Sequence, residues 1–293
     1  MAEGKRVNVP KPATRASSRS KPKLGQHFLA SDSAAQRILD ALGDISQRTV
    51  LEIGPGRGAL TTMLAARARR LIAIELDRVL AAQLRMQFGQ TRNVEIIEGD
   101  ILAMDFDTIF GPKPGLQRPG LTIEPERADV VGNLPYYITS DILLHLFAYR
   151  RYFATLLIMV QKEVADRLAA APGSRDYGLL SATAQLYSRV EKLFTLPPGA
   201  FNPPPKVHSS VVRLTIEPRL EQLSVPEERF IQFLKLSFGQ KRKTLWNNLK
   251  EEHDKDALRK ALEKTGIKPT VRAEALSLEK SAALFRALET IAS

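Results

Sequence analysis

The sequence contains no cysteine, which excludes a disulfide framework and thiolate zinc sites. Its four histidines, at positions 27, 145, 208 and 253, lack the close spacing of a metal site, and no structural metal is expected. Long apolar runs are missing too. The stretch 153–160 falls far short of the roughly 20 residues that cross a bilayer, and no hydrophobic signal core opens the chain. Together these absences predict a soluble, cytoplasmic protein with no membrane attachment.

Basic charge, by contrast, is in excess. The 293 residues carry a formal net charge of +11, and 44% are hydrophobic, enough for a globular core. Lysine and arginine that meet phosphates release condensed counterions, so the excess points to a nucleic-acid partner. More than half of it lies in residues 1–23, where seven basic residues face Glu3 alone. This Pro- and Ser-rich tail is expected to be disordered, and either to solubilise the chain or to touch RNA. Its composition also resembles a transit peptide, but it shows no apolar helical face.

From Ser31 onward apolar strands alternate with helical patterns. Strands are predicted over 49–53, 71–75, 94–97, 129–131 and 155–160. Helices are predicted from Ser31 to a stop at Gly43 and over 59–68, 77–88 and 140–149, the last capped by Thr139 or Ser140. This pattern predicts an α/β fold, a Rossmann-like, doubly wound and mainly parallel sheet. Residues 107–127 read as a Pro- and Gly-rich surface insertion. After Ile216 only helical patterns broken by Pro226, Gly239, Gly266 and Pro269 remain. The expected organisation is a tail over 1–23, an α/β domain over 24–218 and a smaller helical domain over 219–293.

Three glycines, Gly54, Gly56 and Gly58, follow the first predicted strand and precede a helix, the arrangement that lets backbone lie against a nucleotide-like cofactor. The pattern is ambiguous, because Gly54, Gly56 and Ala59 also satisfy a dinucleotide motif. Glu75, at the end of the second strand, suits the ribose of either cofactor. The next two strands discriminate. One ends in Asp100, an acceptor for an adenine amine, and the other in Asn133-Leu134-Pro135-Tyr136.

The motifs LGQHFL (24–29), EIGPGRGALT (52–61), IELD (74–77), EGD (98–100), NLPYY (133–137) and FNPPPKVHSSVVRL (201–214) occur in the order in which they resemble those of the ribosomal RNA adenine dimethyltransferase family. The resemblance spans about residues 24–290 and implies a class I methyltransferase that uses S-adenosylmethionine. It implies donor contacts at His27, Leu29, Gly54, Glu75, Asp100 and Asn133. His27 departs from the family pattern, which has asparagine there. The resemblance further implies dimethylation at N6 of two adjacent adenosines near the 3′ end of small-subunit (16S) rRNA. The expected partner is a pre-30S particle, met by a monomer with no obligate protein partner. Adenine N6 is a poor nucleophile, so it must be oriented. Asn133 Oδ1 and the Leu134 carbonyl can each accept one of its hydrogens, Pro135 rigidifies the turn and Tyr136 offers a face for the base. The resemblance places Phe201 opposite Tyr136, with the flipped adenine between them. Lys241, Arg242 and Lys243 resemble the family's basic helical segment, and Trp246 is expected in the core. The alternatives are a large-subunit rRNA methyltransferase of the antibiotic-resistance type, a NAD-dependent oxidoreductase and a non-catalytic RNA-binding factor.

Overall fold

The computed structural model describes residues 27–111 and 126–292. The basic tail and most of the predicted insertion therefore lie outside the described residues.

The chain opens with a two-residue strand, β1 (Phe28–Leu29), and helix α1 (Asp32–Leu42). As expected, Ser31 caps α1 by accepting from Ala34 N, and Gly43, at φ 72°, ends it. There follow β2 (Thr49–Ile53), α2 (Ala59–Ala65), β3 (Arg70–Glu75), α3 (Arg78–Phe88) and β4 (Val94–Glu98). Short α4 (Phe106–Phe110) precedes β5 (Ala128–Asn133), α5 (Thr139–Ala148) and β6 (Phe153–Gln161). Five predicted strands are thus present within a residue or two at most ends.

Between residues 161 and 218 the sequence reading assigned no elements. The structure places there α6 (Lys162–Leu168), α7 (Leu179–Tyr187), β7 (Ser188–Leu196), two-residue β8 (Phe201–Asn202) and β9 (Ser209–Ile216). Strand β9 runs antiparallel between β6 and β7 and completes a seven-stranded sheet of order β4-β3-β2-β5-β6-β9-β7. The other five strands are parallel. The order reverses between β2 and β5, so a crevice is expected outside their carboxyl ends.

Alternate strand residues feed two hydrophobic layers. Val50, Leu71 and Val131 pack with α1 and α2 on one face, while Leu51, Ile72 and Val130 pack with α5 on the other. The second layer runs on without a break into the carboxyl-terminal helices α8 (Leu220–Leu223), α9 (Glu227–Ser237), α10 (Leu245–Leu249), α11 (Lys255–Thr265) and α12 (Leu278–Ala292). Phe230, Leu258 and Leu284, all fully buried, belong to the same cluster as Leu146 and Leu214. Each such side chain contributes roughly 1.5–3 kcal/mol. The change of pattern near residue 219 is therefore a change of architecture within one continuous core. Trp246 packs against that core, as expected.

Candidate active site

A hollow of about 850 Å³, counting its open mouth, sits at the carboxyl ends of β2, β3, β4 and β5, within the size range of small-molecule sites. His27, Gly54, Glu75, Asp100, Asn133, Leu134, Pro135 and Tyr136 all line it. A smaller hollow of about 370 Å³ adjoins it, lined by Leu29, Glu52, Pro55, Arg57 and Met159 among others. His27, Phe28, Gly54 and Asn133 line both.

The glycine turn shapes this junction. Gly54 and Gly56 have φ of 66° and 60°, a region where side chains are strained, and a Cβ on Gly56 would lie 2.7 Å from the Phe28 ring. Glu75 is 4% exposed and holds the turn from below: its two carboxylate oxygens accept from Gly56 N and Asp77 N, each at 2.9 Å. Burial pushes its carboxyl upward in pKa, against the lowering effect of those two amides. Asp100 is exposed. One oxygen accepts from Leu102 N at 2.9 Å, capping a short turn, while the residue also lines the hollow.

At the end of β5 the Asn133 amide is held in one orientation. Its Nδ2 donates to the His27 carbonyl at 2.7 Å, while Oδ1 is buried with no hydrogen-bond partner. Leu134 N donates to Met159 O at 3.0 Å, anchoring the turn to β6. The Tyr136 hydroxyl pairs with Ser209 Oγ at 2.7 Å, and burial pushes the phenol up against that bond. His27 lies 5.9 Å from Tyr136, centroid to centroid, with the rings inclined by 26°.

Two expectations are corrected. Phe201 is only 3% exposed and packs in the core layer beside α1, with its backbone paired to Leu29, so it does not face Tyr136 across the hollow. Helix α5 has no side-chain cap from Thr139 or Ser140. Thr139 is instead its first residue and donates its hydroxyl to Pro135 O at 3.0 Å, which ties the helix back to the turn. Lys241, Arg242 and Lys243 are exposed in the turn that follows α9 and precedes α10, after a helix and before Trp246 as expected, and Lys241 Nζ donates to Arg175 O at 2.9 Å.

Several lining residues were not singled out from the sequence. Leu76 and Ile101 each follow a pocket acid directly and form apolar walls, and that acid-then-apolar pairing at strand ends was a readable signal. Glu52 is the more telling omission, a carboxylate inside the apolar strand TVLEI. It is 2% exposed, and its Oε2 has no hydrogen-bond partner. Burial pushes its carboxyl up to about 8. The adjacent Thr61 hydroxyl pulls weakly the other way, and Glu75 adds to the rise.

An apolar cleft with acids free of ion pairs, a glycine turn and a buried amide acceptor can receive a cationic ligand. The family model described as ribosomal RNA adenine dimethylase matches residues 17–290. A Koribacter versatilis (strain Ellin345) protein named ribosomal RNA small subunit methyltransferase A is 58% identical over 282 residues, covering 96% of this chain and 99% of that protein. A protein of the same name from Acidobacterium capsulatum is 54% identical, covering 93% of each. Among solved structures, a dimethyladenosine transferase from Plasmodium falciparum superposes with a TM-score of 0.74 at 25% identity, covering 91% of this chain and 98% of that one. The 23S rRNA methyltransferase ErmE gives 0.63, also at 25% identity, covering 89% and 99%. With the family model matching nearly its whole length and relatives more than half identical, the chain belongs to the ribosomal RNA adenine dimethylase family.

Proposed function

We propose that this methyltransferase moves methyl groups from S-adenosylmethionine to N6 of adenosines, dimethylating two adjacent adenosines near the 3′ end of small-subunit rRNA in a pre-30S particle. The observation that carries the reading is Asn133 Oδ1, a buried acceptor left without a partner at the mouth of the glycine turn. An orphaned buried acceptor costs about 1–3 kcal/mol, and a bound amine would relieve that cost.

The residues present fit the donor. Glu75 and Asp100 would take the ribose and the adenine, Leu76 and Ile101 would flank the flat base, and Glu52 borders the smaller hollow, where an ammonium would meet its unpaired oxygen. When bound, the donor supplies a methyl group made electrophilic by a sulfonium. Asn133 Oδ1 and the Leu134 carbonyl would accept the two N6 hydrogens and turn the nitrogen lone pair toward that methyl. Because Asn133 Nδ2 is committed to His27 O, the amide presents oxygen rather than nitrogen to the amine. Tyr136, held by Ser209, offers a face for the base. Methyl departure neutralises the sulfur, so Asn133 can remain neutral, and the amine proton passes to water.

We propose that the protein acts as a monomer in the cytoplasm; no helix among the described residues is long and apolar enough to cross a membrane. The decisive experiment incubates the protein and labelled donor with 30S particles and, separately, with naked large-subunit rRNA, then identifies modified nucleosides by mass spectrometry of digests. Dimethyladenosine from 30S rRNA is expected. Label confined to the large-subunit RNA would instead favour the antibiotic-resistance type.

A further inference from the structure

His27 occupies the position where the family pattern has asparagine, and three contacts define it. Its Nδ1 lies 2.8 Å from the carbonyl oxygen of Pro203, which can only accept, so Nδ1 carries the proton. The neutral ring therefore presents Nε2 as a bare acceptor. Its backbone carbonyl holds the Asn133 amide, and its ring borders both hollows.

His27, Phe28, Gly54 and Asn133 are the residues shared by the two hollows, so with adenosine in the larger and the amino-acid end in the smaller, as proposed above, the sulfonium joining them would lie beside these residues. We propose that His27 discriminates donor from product by charge: neutral His27 admits cationic S-adenosylmethionine, whereas protonation at Nε2 shifts the preference toward the uncharged thioether S-adenosylhomocysteine. The inference rests on the donor assignment above. Protonation keeps the bond from Nδ1 to Pro203 O, so the segment stays in place while the charge changes.

Other titratable groups face the same space. Glu75, Asp100, Tyr136 and Tyr137 line the larger hollow, and Glu52 and Arg57 the smaller. The Pro203 loop carries Lys206 and His208, both exposed. Donor and product share adenine, ribose, ammonium and carboxylate, so titration of the groups facing those parts largely cancels in the ratio of the two affinities. What remains reports charge near sulfur. Two unit charges about 6 Å apart, at an effective dielectric constant of about 40–80, change that ratio roughly three- to tenfold.

The test is calorimetric titration of the full chain with S-adenosylmethionine and S-adenosylhomocysteine from about pH 5.5 to about pH 8.5, for the wild type and His27→Asn. Toward low pH the preference for S-adenosylhomocysteine should rise about three- to tenfold more in the wild type than in the variant, in which any remaining slope belongs to other groups such as Glu52. A flat ratio in the wild type overturns the proposal without touching the donor assignment. An equal slope in His27→Asn assigns the effect to another group, such as His208, and also overturns it. If neither ligand binds at about pH 8.5, the donor assignment falls and this inference falls with it.

Discussion

Two hollows of similar size lie at opposite ends of the same strands, about 850 Å³ at the carboxyl ends and about 930 Å³ at the amino ends. Size does not distinguish them, but the treatment of their acids does. At the amino end Asp129, Glu126 and Glu217 are each met by an arginine: Arg48 at 2.8 Å, Arg69, and Arg189 at 3.7 Å. Arg127 is used up on backbone, donating to Phe153 O and Ile216 O. At the carboxyl end Glu75 and Asp100 meet backbone amides and Glu52 keeps an unpartnered oxygen, with no ion pair to any of the three among the described residues. Ion pairing occupies the acids of one end, while those of the other meet no cation among the described residues and are open to a cationic ligand. Free volume alone would not have separated site from surface.

The sharpest way to break this contrast is at its orphaned acceptor. Asn133→Ala should lower single-turnover methyl transfer at saturating donor and RNA by at least about a hundredfold, because orienting groups act mainly in the chemical step. Donor affinity should change only a few-fold, since Glu75 and Asp100 remain. Tyr136→Phe should stay substantially active, because a phenyl face stacks as a phenol does and only the bond to Ser209 is lost, whereas Tyr136→Ala should lose the platform. Full activity in Asn133→Ala would end the assignment of the site.

Next in size is the ribose acid. Glu75→Ala should weaken donor binding about ten- to a hundredfold, in line with about 1.5–3 kcal/mol for hydrogen bonds to a charged group. It also strips Gly56 N and Asp77 N of their acceptor, so Glu75→Gln, which can keep one of them, should fold more stably yet still bind donor poorly. Calorimetry paired with thermal melting separates the two losses, and unchanged donor affinity in both variants would remove Glu75 from the crevice.

How much of this contrast could be read beforehand differs by region. Strands β2, β3 and β5 were legible because buried parallel strands are continuous apolar runs, and the residues closing them, Gly54, Glu75 and Asn133, stand out for polarity or for glycine. Strand β7 was not, because it mixes Arg189, Glu191 and Lys192 with apolar residues along a half-exposed edge and imitates neither period cleanly. Phe201 was assigned a stacking role from its motif, but a motif does not say which way a ring points. Pairing of β8 with β1 turns it into the core and leaves Phe28 at the pocket wall instead. Nor does sequence distance show that Arg48 and Asp129, 81 residues apart, would pair.

Glu52 supplies a test in the pH dimension. Its carboxyl is pushed up to about 8 in the fold, against an ordinary value of 4.5, so the folded state holds this proton more tightly than the unfolded chain does. The associated stability is complete below about pH 4.5 and is lost as pH rises through about 8. Glu52→Gln removes that dependence. Without ligand, the variant should match the wild type near pH 4.5 and exceed it by up to about 5 kcal/mol above pH 8, a difference visible in thermal midpoints. The same substitution should weaken donor binding at neutral pH. Equal melting of the two proteins at alkaline pH would show that the carboxyl is not held in a low-dielectric site.

The smallest expected effect probes the other end of the sheet. Arg48→Ala takes the partner from Asp129, which is 1% exposed and already has one oxygen without a hydrogen bond. Breaking a fully buried pair costs about 3–5 kcal/mol, but the Arg48 side chain is 49% exposed and water can reach the space it leaves, so about 1–2 kcal/mol is expected here. Thermal melting should detect that loss. Donor affinity should remain within error, because nothing in this hollow touches the glycine turn, Glu75 or Asn133. Asp129→Asn in the Arg48→Ala background should recover part of the stability by removing the stranded charge, again with donor binding unchanged. If instead Arg48→Ala weakened donor binding as much as Glu75→Ala, the two ends would be coupled through β2 and β5. The division into an ion-paired end and a ligand end would then have to be abandoned.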